Sequence, residues 1–100
     1  MNQEFEQVVK AVASAMDLTV SQILSNRRFP ETIDARWITV YLLNDRGFYT
    51  AKIAVCMGMT PRNVTRILAA VRDRLSIETK LRRNLDAARK YLSATDAKLI

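Results

Sequence analysis

Residues 50–69 read Thr50-Ala51-Lys52-Ile53-Ala54-Val55-Cys56-Met57-Gly58-Met59-Thr60-Pro61-Arg62-Asn63-Val64-Thr65-Arg66-Ile67-Leu68-Ala69. Two short apolar-periodic segments flank a break at Gly58-Met59-Thr60-Pro61. Glycine accepts the left-handed backbone that ends a helix. Thr60 suits an N-cap and Pro61 the first helical position that follows it. Ala54 is small where a second helix must cross close above the first, and Ile53, Met57, Met59, Val64 and Ile67 are apolar at the positions that anchor both helices to a core. This combination of small, glycine and apolar residues at fixed offsets predicts a helix-turn-helix over about 50–69. An ordinary helical hairpin, with Gly58 serving only as a C-cap, is the alternative.

The second helix of the motif divides into two faces. At about 100° per residue, Val64, Ile67, Leu68, Val71 and Leu75 fall on one side. Arg62, Arg66 and Ala69 lie opposite, with Thr65 on the flank. That outward face offers guanidinium forks, a hydroxyl and a small methyl, which are groups suited to guanine edges, phosphates and close approach. A solvated charged face would carry the same residues. Asp73 lies further along the same face and argues against deep insertion of the whole helix into a groove.

Working outward, the rest of the chain also reads as helix. Phe5, Val8, Val9, Val12, Ala13 and Met16 recur at helical spacing and predict a first helix broken at Asp17-Leu18. Thr19 with Gln22 three residues on forms a capping-box pattern for a short second helix, with Val20, Ile23 and Leu24 facing inward. Ser25 to Pro30 is a loop. Pro30, Glu31 and Asp34 suit the start of a third helix running to about Asp45, with Gly47 just past its end. Its centre, Trp37-Ile38-Thr39-Val40-Tyr41-Leu42-Leu43, is β-branched and aromatic and could be a strand. The flanking caps and the lack of any partner strand decide for a central buried helix. A fourth helix over Tyr49–Met57, a fifth from Pro61 to about Leu75 and a sixth from Thr79 to about Leu92 complete an all-α domain over 1–93, with 94–100 expected to fray.

Composition agrees. The 100 residues suffice for one core, and 2 Gly with 2 Pro are too few for the turns of a sandwich or barrel. The formal net charge is +6, as expected of a domain that meets a polyanion. There is no histidine, no glycine-rich phosphate loop and a single cysteine, Cys56, in an apolar helical pattern. The usual general base, the usual metal ligand and NTP use are therefore all poorly provided for, and neither an enzyme nor a cofactor or metal is expected. Cys56 reads as a small core residue. The acidic, polar start and the absence of a long apolar run point to a cytoplasmic protein.

Residues from about Phe5 to Leu92 resemble the C-terminal DNA-binding domain (domain IV) of the bacterial chromosomal replication initiator DnaA, a Trp-repressor-like helix-turn-helix fold. The resemblance is carried by Val9–Ala13 ahead of Asp17-Leu18, by Ile23-Leu24-Ser25-Asn26-Arg27-Arg28, by Ala35-Arg36-Trp37-Ile38-Thr39-Val40-Tyr41-Leu42, and by Ile53 and Gly58. It implies a second DNA contact, because the family's basic loop after the second helix reaches the minor groove, and Arg27 and Arg28 occupy that loop. Arginine suits a narrow minor groove with its enhanced negative potential. The family's Gly-Gly-Arg-Asp-His-Thr-Thr-Val is replaced here by Gly58-Met59-Thr60-Pro61-Arg62-Asn63-Val64, so the scaffold carries over and the base specificity does not.

The expected function is sequence-specific binding of double-stranded DNA in replication or transcription control. Arg62, Asn63, Thr65 and Arg66 are expected at bases or nearby phosphates, Thr60 and Lys52 at the DNA backbone, and Arg27 and Arg28 in the adjacent minor groove. The alternative is a helix-turn-helix scaffold that has lost DNA and docks proteins.

Overall fold

A computed structural model describes residues 2–25 and 28–98, the side chains of 97 and 98 excepted. The described chain is all helix: α1 (Gln3–Met16), α2 (Val20–Leu24), α3 (Pro30–Asp45), α4 (Thr50–Met57), α5 (Pro61–Ile77) and α6 (Thr79–Lys98). No helix in it is long and apolar enough to cross a membrane.

The local chemistry explains where the helices begin. Asn2 Oδ1 accepts from the backbone N–H groups of Glu4 and Phe5, satisfying two donors that α1 cannot pair internally. Thr19 and Gln22 form the reciprocal capping box, with Gln22 N–H donating to Thr19 Oγ1 at 3.0 Å and Thr19 N–H donating to Gln22 Oε1 at 2.8 Å. Pro30 and Pro61 occupy the first turns of α3 and α5. Asp17 ends α1 in the left-handed conformation, at φ 55°, where the short aspartate side chain is tolerated.

Helix α3 is the hub. It packs against α1, α2, α4, α5 and α6, while α1 lies along α6 and α4 against α5. Ala35, Ile38, Val40, Leu42 and Leu43 are buried, and the buried Thr39 hydroxyl is satisfied by donating to Ala35 O at 2.7 Å. The β-branched centre is thus helix because it is surrounded by other helices; burial on many sides overrides weak propensity. Trp37 and Tyr41, one turn apart on α3, are only half-buried and are covered by arginines. Arg74 and Arg66 of α5 stand over Trp37, and Arg89 of α6 stands over Tyr41.

Two expectations are revised. Of the α2 residues placed inward, Ile23 is fully buried, but Leu24 is 38% exposed. Val20 is half-buried against the core, and Leu24 falls on the flank of this five-residue helix. The sixth helix also continues past the expected end near Leu92, to Lys98. Its last turn is tied back by Asp96, whose carboxylate accepts from Arg46 Nη2 at 2.7 Å. Cys56 is half-buried against the core.

Candidate nucleic-acid interface

The α4–turn–α5 unit follows the sequence pattern residue by residue. Gly58 ends α4 at φ 66°, and Met59 N–H donates to Ala54 O at 3.0 Å. Thr60 Oγ1 then accepts from Asn63 N–H at 3.1 Å to open α5. Ile53, Ala54, Met57, Val64, Ile67, Leu68 and Val71 are buried, so the inner faces of both helices are fixed in the core. Leu75, the last residue expected inward, is half-buried against it.

The opposite face of α5 is exposed at Arg62, Thr65, Arg66, Ala69 and Asp73. Thr60, Arg62, Asn63 and Arg66 line one shallow depression at the start of the helix. Among the described residues, neither Arg62 nor Arg66 enters an ion pair. Arg66 does have a neutral neighbour. Its Nε and Nη2 donate to Asn63 Oδ1 at 3.0 and 2.7 Å, and its guanidinium lies 5.9 Å from the centre of the Trp37 ring. Thr65 Oγ1 donates to Pro61 O at 3.2 Å, which leaves its lone pairs and methyl outward.

A second surface adjoins the first. A cleft of about 270 Å³ separates the start of α3 from α5, lined by Arg28, Ile33, Arg36, Trp37, Asn63 and Arg66 among others. Arg28 therefore stands across one cleft from Asn63 and Arg66. Arg27, the other loop arginine, lies outside the described residues. Lys52 is exposed on α4, with its Nζ 4.4 Å from the centre of the Phe48 ring, and it does not share the depression or the cleft with the α5 residues.

Sequence reasoning counted Trp37 as core and did not foresee its role beneath two guanidiniums. The usable signal was its place one turn from Tyr41, on a helix whose Ile38, Leu42 and Leu43 are buried. Nor did it foresee Arg74. This arginine donates to Asp34 at 2.9 Å and, through Nε and Nη2, to both Glu78 oxygens at 2.7 and 2.8 Å. The Arg74 pairing pulls the Glu78 carboxyl below its ordinary range, and the two carboxylates keep Arg74 firmly charged. Arg74 is thus committed to joining α3, α5 and the α5–α6 corner, whereas Arg62 and Arg66 enter no ion pair among the described residues. Compared with known proteins, the chain matches no family model and no curated protein sequence.

Proposed function

We propose that this chain is a sequence-specific, double-stranded DNA-binding domain. In this reading α5 enters the major groove by its N-terminal half, and the loop before α3 lies in the adjacent minor groove. The observation that carries it is the outward clustering of Arg62, Thr65 and Arg66 on a helix whose other face is locked in the core, with Arg28 across the neighbouring cleft. The clustered arginines supply phosphate attraction and groups for base edges, and the rigid backing supplies the fixed aim that readout requires. The net charge of +6 supports the same partner. Thr60 and Lys52 are assigned to backbone contacts, and Arg27 joins Arg28 in the minor groove. By its resemblance to the initiator's C-terminal domain, the role is one in replication or transcription control in the cytoplasm, without a cofactor.

The test is fluorescence anisotropy of labelled duplexes at two salt concentrations, one duplex carrying an initiator-type box and one scrambled. Salt-sensitive binding of either duplex supports the reading, and preference for the box extends it to the initiator's target. Absence of binding to both at low salt overturns it in favour of protein docking.

A further inference from the structure

We infer that Arg66 is a dedicated guanine reader and that Asn63 is the residue that positions it, not a base reader itself. The inference rests on the DNA-binding reading and adds to it a target base and a division of labour.

Asn63 and Arg66 are three residues apart on α5, the spacing at which side chains on one helix face meet. A guanidinium has only donors, so the amide atom facing it must be the oxygen. Asn63 Oδ1 takes two of the five N–H groups, one on Nε and one on Nη2, at 3.0 and 2.7 Å. The other end of the amide is also engaged, with Nδ2 3.9 Å from Met59 Sδ in the turn. An asparagine reads adenine by presenting both Oδ1 and Nδ2 to the base. Here Oδ1 is occupied by Arg66 and Nδ2 lies against Met59 Sδ, and the residue is half-buried.

The same contact decides what Arg66 can do. With the Nε edge held, the remaining N–H groups are those on Nη1 and the outer one on Nη2. Of these three, the outer one on Nη2 and the Nη1 N–H beside it form a parallel pair at the tip of the guanidinium. Two parallel donors match N7 and O6 of guanine, the one base whose major-groove edge offers two adjacent acceptors. Trp37, 5.9 Å beneath, bounds the swing of the plane. The fork is thus set before DNA arrives, so less rotamer entropy is lost on binding.

The experiment is selection of binding sites from a randomised duplex pool with the full chain and its Arg66→Ala, Asn63→Leu and Asn63→Asp variants, each checked for an unchanged thermal midpoint. The selected site is expected to need a guanine at one position, and Arg66→Ala should lose that preference by roughly tenfold or more. Asn63→Leu should lose most of the preference at the same base pair and at no other. Asn63→Asp keeps an acceptor on Arg66 and should keep the guanine, with weaker binding at all sequences from the added negative charge. A selected site that Arg66→Ala leaves unchanged overturns the inference while the DNA reading stands. So does loss of an adenine at a different position in Asn63→Leu, which would make Asn63 a reader. A pool retained at no salt concentration overturns the DNA reading itself and the inference with it.

Discussion

The Arg74 guanidinium lies 5.2 Å from the centre of the Trp37 ring, joining the last turn of α5 to the middle of α3. It holds that place because Asp34, one turn before Trp37 on α3, accepts from Nη2 at 2.9 Å. Trp37 is therefore a packing platform between the hub helix and the proposed reading helix. Trp37→Ala is expected to cost about 2–3 kcal/mol, below the range for a fully buried aromatic because the ring is half-exposed. Trp37→Phe should cost about 1 kcal/mol, since it keeps a ring face for the guanidinium. Urea midpoints at unchanged slope measure both. Equal losses for the two variants would show that the ring face itself contributes nothing.

Glu78 gives the fold a dependence on acid. Its carboxyl titrates below the ordinary value of 4.5, chiefly because it accepts from Arg74, with a lesser contribution from Arg74's charge, against an opposing effect of desolvation that is smaller than the hydrogen bond alone. A depressed folded-state value means that the carboxylate stabilises the fold at neutral pH and that this contribution fades as pH falls below 4.5 toward the folded-state value. Glu78→Gln should therefore be less stable than the natural chain at neutral pH and approach it in acid. Thermal midpoints across that window test the sign. Two parallel curves would exclude Glu78 as a source of the dependence.

Gly58 isolates a backbone cost. At φ +66° it has nothing within 4 Å of an added Cβ, so a substitution there meets strain and no clash. Gly58→Ala is expected to cost about 1–2 kcal/mol, the penalty of a left-handed L-residue. Gly58→Asn should cost less, because asparagine tolerates that region. Equilibrium unfolding of the two variants gives the comparison. An alanine variant as stable as the natural chain would mean that the turn relaxes, and would weaken the link between Gly58 and the aim of α5.

What the sequence made legible was local. The Thr19–Gln22 capping box, the Gly58–Pro61 break and the 3.6-residue stripe from Val64 to Val71 each sit within a few residues, and each describes its element correctly. What it hid was set by distant partners. Residues 93–96 have no apolar stripe to mark them as helix, and their anchor, Arg46, is fifty residues away from Asp96. The proposed interface was legible as a list of residue types on one helix face. That Asn63 Oδ1 holds Arg66, while Arg74 is paired with Asp34 and Glu78, depends on side-chain placement that periodicity does not encode.

The Arg46–Asp96 pair accordingly makes a modest contribution. Both side chains are partly exposed, at 26% and 42%, so solvent screening limits Asp96→Asn to a loss of about 0.5 kcal/mol. Ending the chain after Leu92 should cost more, because the last turns of α6 go with the ion pair. Hydrogen exchange at the amides of residues 88–92 should then rise toward that of a frayed end. Unchanged protection in the shortened chain would show that the helix to Leu92 stands without its extension.

Arg62 and Arg66 should separate in their response to salt. Arg62, with no hydrogen-bond or ion-pair partner among the described residues, is suited to a phosphate, whereas Arg66 is held for a base. Neutralising a phosphate contact reduces counterion release, so Arg62→Ala is expected to weaken binding to all sequences alike and to lower the slope of log affinity against log salt by about 1. Arg66→Ala should weaken the selected site by roughly 1–3 kcal/mol while leaving binding to scrambled duplex nearly intact. Anisotropy titrations of both variants on both duplexes, over a salt series, test the assignment. If Arg62→Ala changed sequence preference and Arg66→Ala changed only the salt slope, the two roles would have to be exchanged.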